Sequence, residues 1–151
     1  MGRYTFVIDI DAPRQQVFDL WVDLERAPEW IEGLDKITDV TGPLDQAGTT
    51  YVARFGTWAT SKTTVLEAER PRFIRVKFGN WLLRGEQSAL FEETAPGTRL
   101  TQTFVTQGVI PAIAARIFAT GSYKGSFRGE LATFKRICER EAEQQPETEA
   151  T

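Results

Sequence analysis

Gln87 and Gln102 stand in RGEQSALFEE and RLTQTFVTQ, two stretches in which apolar and polar residues alternate. Alternation puts Gln87 on the side of Ala89 and Phe91, and Gln102 on the side of Leu100, Phe104 and Thr106. An amide on the apolar face of a strand needs a hydrogen-bond partner, because leaving it bare costs about 1–3 kcal/mol. That partner is either a neighbouring polar group or trapped water, or a polar atom on an otherwise apolar ligand. Tyr51 and Thr106 share the inward faces of their own strands and could supply hydroxyls to the same ligand. Lys124 lies near the apolar side of a C-terminal helix, between Ile117 and Phe127. There a desolvated amine could act as a base or Schiff-base nucleophile, whereas a lysine that snorkels to the rim does neither.

What is missing narrows the chemistry further. The 151 residues contain no histidine, so Ser-His-Asp and Cys-His catalysis and His-containing zinc sites are excluded. A metal would need an all-oxygen site, and no clustered acidic loop is present, so no metal is expected. No nucleotide-binding glycine motif occurs, and no cofactor is expected. Asp9, Glu67 and Glu86 fall on strands, but on outward or unassigned faces, which leaves no inward acid–base pair. The single cysteine, Cys138, rules out an intramolecular disulfide. Charge is uneven: Glu139, Glu141, Glu143, Glu147 and Glu149 face only Arg140, so the net −3 is concentrated at this end. The nearly neutral body has no electrostatic footprint for nucleic acid. The opening MGRYTFVIDID lacks the long apolar region of a signal peptide, and no apolar run approaches the ~18 residues of a membrane span. A cytoplasmic location is expected.

The elements that must hold these residues follow from periodicity and turn signals. YTFVIDI alternates as a strand, and DAPRQQVFDLW reads as a helix capped by Asp11, with Val17, Phe18 and Trp21 on one side. A second short helix is expected near Pro28, then a strand over about Leu34 to Val40 and a turn holding Pro43 and Gly48. Five further strands follow as a meander, broken at FGTW, ERPR, FGNW and APG. A long helix runs from Pro111 to about Glu143, with Ile110, Ile113, Ile117, Phe127, Leu131, Phe134 and Cys138 on one face. The predicted architecture is α+β: seven antiparallel strands wrapped around a long C-terminal helix, with two short helices between strands 1 and 2. One domain over 1–143 is expected, followed by a disordered acidic tail over 144–151.

Four stretches carry a family resemblance: IDAPRQQVFDLWVDLERAPEW, TGPLDQAGTTY, VLEAERPRFIRV and FEETAPGTRLTQTF. Together they resemble the START/Bet v 1-like (SRPBCC) superfamily, and its small polyketide cyclase/dehydrase-type members in particular, over about 3–142. The resemblance implies a helix-grip fold with a cavity between sheet and helix. It does not choose among binding, transport, sensing and catalysis.

FGTW and FGNW join strands three to four and five to six, so both fall at one end of the sheet, where strand seven also departs into GVIPAIAARIF. Trp58 and Trp81 then either rim a portal, in contact with ligand, membrane or partner, or fold back as core. The predicted cavity lining is Trp30, Tyr51, Phe55, Trp58, Phe78, Trp81, Gln87, Phe91, Gln102, Phe104, Thr106, Ile113, Ile117 and Lys124. Gly121, Gly125 and Gly129 make a smooth stripe on the last helix. The stripe would admit close packing, a second subunit as homodimer, or a swing of the helix that lets ligand in. The basic group Arg70, Arg72, Arg75, Lys77 and Arg84 reads as a solvated face.

Three functions remain open at this point. One is a binding module for a hydrophobic small molecule such as a lipid, isoprenoid or polyketide-like compound. The second is a cyclase/dehydratase of aromatase type that uses the same cavity without metal or histidine. The third is a docking module acting on a membrane or protein through the aromatic rim.

Overall fold

A computed structural model describes residues 2–31, 33–55, 59–79, 84–106 and 122–144, with helix side chains from 129 onward. Its elements are β1 (Gly2–Ile10), α1 (Arg14–Trp21), a 3-10 turn (Ala27–Glu29), β2 (Leu34–Thr38), β3 (Thr50–Phe55), β4 (Ala59–Glu69), β5 (Phe73–Gly79), β6 (Arg84–Glu93), β7 (Thr98–Thr106) and α2 (Ser122–Gln144). All seven strands form one antiparallel sheet in the order β1-β7-β6-β5-β4-β3-β2. The expected α+β helix-grip architecture is therefore present, with two refinements. The second short helix is a single 3-10 turn, entered through Pro28. Strand β2 stops at Thr38 because Asp39 adopts a left-handed backbone with φ of 57°.

Alternation decides which way each strand faces. Along β1, Phe6 and Ile10 are buried while Arg3, Thr5, Val7 and Asp9 are exposed. On β5 the buried pair is Ile74 and Val76, and on β7 it is the even-numbered set Thr98, Leu100, Gln102, Phe104 and Thr106. A register shift between Val65 and Glu67 adds a residue to β4. The loop before β3 closes over this bulge, with the Gly48 amide donating to the Val65 carbonyl and the Val65 amide to the Thr49 carbonyl, both at 2.8 Å.

The inner face is closed tightly at one end. Helix α1 lays Phe18 edge-on to Phe91 of β6 at 5.2 Å between ring centroids. Helix α2 contributes Leu131, Phe134, Ile137 and Cys138, whose spacing places them on one helical face, to the same core. Trp21, Trp30 and Phe134 form a triangle of rings with centroids 4.9 to 5.3 Å apart. The two helices are also joined at the surface. Gln16 Nε2 donates to the Cys138 carbonyl at 2.9 Å, and Arg26 bridges Glu29 and Glu141, holding both carboxyls below the usual range.

Cys138 is 0% exposed, and its burial pushes the thiol up to about 12. The thiol of native protein is therefore expected to resist alkylation at pH 8 and to react fully in denaturant. Rapid labelling without denaturant would show that the closed end opens readily. The expected helical run over Ile110, Ile113 and Ile117 lies outside the described residues, as do 145–151 of the acidic tail.

Candidate functional site

Strand register converts the predicted faces into neighbours. Three inward rows cross the sheet. The first is Phe6, Gln102, Ala89 and Ile74, and the second is Tyr4, Phe104, Gln87, Val76 and Val65. The third is Gly2, Thr106, Gly85, Phe78, Thr63 and Tyr51. Directly opposed residues in such rows stand about 4.5–5.5 Å apart, so Gln87 falls diagonally beside Gln102 within one patch, while Tyr51 faces the same way from β3, four strands and about 19 Å from β7. Phe104 stacks edge-on with Phe6 at 6.2 Å and with Phe78 at 6.3 Å, which makes the patch aromatic as well as polar. No carboxylate, lysine or arginine occurs in the three rows.

The polar members of the patch are differently employed. Thr106 Oγ1 accepts from the Gly2 amide at 3.2 Å, so its hydroxyl serves the pairing of β1 with β7. Tyr51 is desolvated, which raises its phenol pKa, and a hydrogen bond with Thr63 works against that shift. Gln102 is only 3% exposed, and its Oε1 is buried without a hydrogen-bond partner among the described residues. Two other buried polar atoms share that condition, Gln16 Oε1 and Trp30 Nε1, and neither is on the sheet. Thr63, 5% exposed, is a member that sequence reading passed over. Its position two residues before the apolar Val65 was the available signal.

The remaining predicted lining residues separate. Trp30 and Phe91 lie in the closed aromatic end with Trp21, Phe18 and Phe134. Phe55 packs beside Ala27, Leu34 and Ala53 in a small cluster under β2 and β3. Trp58, Trp81, Ile113 and Ile117 lie outside the described residues, and Lys124 is described only as backbone within α2. Of the glycine stripe, Gly129 alone has described surroundings, and a Cβ built there meets nothing within 4 Å among them.

The strand carboxylates face outward. Asp9 accepts from Arg99 at 2.8 Å, and Arg75 bridges Glu67 and Glu86. Arg72 pairs with Glu69, while Arg70 pairs with Asp19 and Asp45 and lies over the Phe18 ring. These exposed pairs are worth little each, and they take the acidic strand residues out of any inward acid–base role. Among the described residues, no group of three or more His, Cys, Asp or Glu could hold a metal, and no helix is long and apolar enough to cross a membrane.

Two surface grooves flank the core. One, of about 350 Å³, runs between α1 and the end of α2 past Gln16, Arg26 and Glu141, with no wall from the sheet. The other, of about 310 Å³, lies between β1 and α2 and is lined by Thr5, Phe6, Val7, Ile8 and Leu131. Through Phe6, this second groove reaches the residue opposite Gln102.

Known structures share this fold. Protein MLL2253 from Mesorhizobium loti superposes with a TM-score of 0.73 at 14% identity, covering 92% of this chain and 98% of that one. TTHA0849 from Thermus thermophilus gives 0.64 at 17%, covering 89% and 95%. StfQ, the di-domain ARO/CYC of the steffimycin biosynthetic pathway, gives 0.74 at 13%; 93% of this chain matches 52% of that longer one. No curated protein matches the chain. The family model described as polyketide cyclase / dehydrase and lipid transport matches residues 1–139, and the chain belongs to that family.

Proposed function

We propose that the chain binds an uncharged, largely apolar small molecule against the inner face of the sheet, with Gln102 and its diagonal neighbour Gln87 as its polar anchors. The supporting observation is Gln102, a buried acceptor without a partner among the described residues, in an aromatic patch whose three strand rows carry no charged side chain. A protein core rarely leaves such an atom bare, whereas a binding site keeps one for its ligand. Family membership agrees with this reading and is equally compatible with transport.

Native mass spectrometry of gently purified protein tests it. The expected result is a 1:1 adduct that denaturation releases, or, on apo protein, saturable 1:1 uptake of the neutral dye Nile red. An apo mass together with no dye uptake would sink the reading.

Tyr51 favours a second reading, turnover of a polyketide-like chain. With its pKa raised by burial, the phenol stays protonated at neutral pH and could donate to a substrate carbonyl. Binding is preferred because the three rows supply no base to work with that acid.

A further inference from the structure

We infer that the ligand presents a hydrogen-bond donor, a hydroxyl or N–H on an otherwise apolar frame, to Gln102 Oε1, and that it brings no anionic group to this position. The inference deepens the binding reading and rests on it. It starts from which donors the protein has already committed. Gln102 is flanked on its own face by Leu100 and Phe104 and across the sheet by Phe6 and Ala89, none of which carries a side-chain donor. The Thr106 hydroxyl is bound to Gly2, and Tyr51 and Thr63 hydrogen-bond one another. Gln87 is a diagonal neighbour, about 7–8 Å away by sheet geometry and within reach of a long side chain, yet it makes no hydrogen bond to Gln102 Oε1.

A desolvated amide oxygen without a partner discriminates by chemistry. A hydroxyl or N–H satisfies it. An ether leaves it bare, and a carboxylate sets a second, charged acceptor against it where no positive side chain in the three rows can compensate. A site built to meet a substrate hydroxyl rejects the analogue lacking one far more strongly than an apolar wall rejects a missing methylene. The rings of Phe6, Phe78 and Phe104 suit a flat apolar frame beside the donor.

Isothermal titration at pH 7 with 2-naphthol, 2-methoxynaphthalene and 2-naphthoate separates these cases on one frame. The wild-type chain is expected to bind 2-naphthol about tenfold tighter than the ether, with the naphthoate weakest. Gln102→Leu should bring 2-naphthol and the ether to equal affinity; Gln102→Met keeps the chain length if leucine disturbs folding. Equal wild-type affinities for 2-naphthol and the ether overturn the donor inference and leave the binding site standing. So does tightest binding by the naphthoate, or a naphthol preference that survives both substitutions. Failure of all three probes and of Nile red overturns the inference and the binding reading together.

Discussion

Phe134→Ala is expected to destabilise the protein by about 3–5 kcal/mol, the largest loss of any single truncation at the closed end. The ring is 0% exposed and packs edge-on against Trp21 at 5.3 Å and Trp30 at 4.9 Å. Removing it deletes transfer energy, opens a cavity that two tryptophans and the α2 backbone cannot easily refill, and breaks two aromatic contacts. For a chain of this size the thermal midpoint should fall by roughly 6–20 °C. Urea unfolding gives the free energy, and an unchanged m-value would show that the denatured state is not the cause. Phe78→Ala makes the informative comparison. Phe78 is half-buried on the inward patch and should cost distinctly less. A loss equal to that of Phe134→Ala would mean the patch is packed as tightly as the core, leaving no room for a ligand.

Why this contrast was hidden in the sequence is a matter of two different codes. Alternation reports which face a residue occupies, and it placed Phe6, Ile74, Val76, Leu100, Gln102 and Phe104 correctly. It is blind to position along the face, so it groups Phe91 with Gln87, although Phe91 packs against Trp21 in the aromatic end around Phe134. Position along the face comes from register, and register comes from turns and bulges such as the extra residue after Val65. Hydrogen-bond allegiance is further from view still. Thr106 and Gln102 share one face of one strand, yet one hydroxyl is spent on Gly2 and one amide oxygen is bare among the described residues. Only the antiparallel partner strand decides that difference. The second short helix was legible from Pro28, but its being a single 3-10 turn was not: a proline starts a helix as readily as it starts a single turn, and three residues carry no periodicity.

The register that faces Phe6 toward Gln102 is pinned at the far end of β7, and Gly97→Ala should loosen it. The turn between β6 and β7 is closed by the Thr94 amide donating to the Gly97 carbonyl at 2.9 Å. It rests directly on the chain leaving β1: a Cβ added at Gly97 would run into the Ile10 carbonyl oxygen and come within 2.7 Å of the Ala12 nitrogen. Both obstacles are backbone, so neither can rotate aside as a side chain would. Next to it, buried Thr98 donates its Oγ1 to the Ala12 carbonyl at 2.8 Å, which fixes the same two segments by attraction. A methyl group forced into this contact should cost about 1–3 kcal/mol, and valine more, read as a lower urea midpoint at constant m-value. The functional consequence follows from the period of a strand. If the clash is relieved by shifting β1 one residue against β7, every side chain of β1 changes face, and Phe6 no longer faces Gln102. A folded Gly97→Ala protein should therefore lose Nile red uptake more than its remaining stability would suggest. Full uptake with a lowered midpoint would show that the turn strains locally while the register holds.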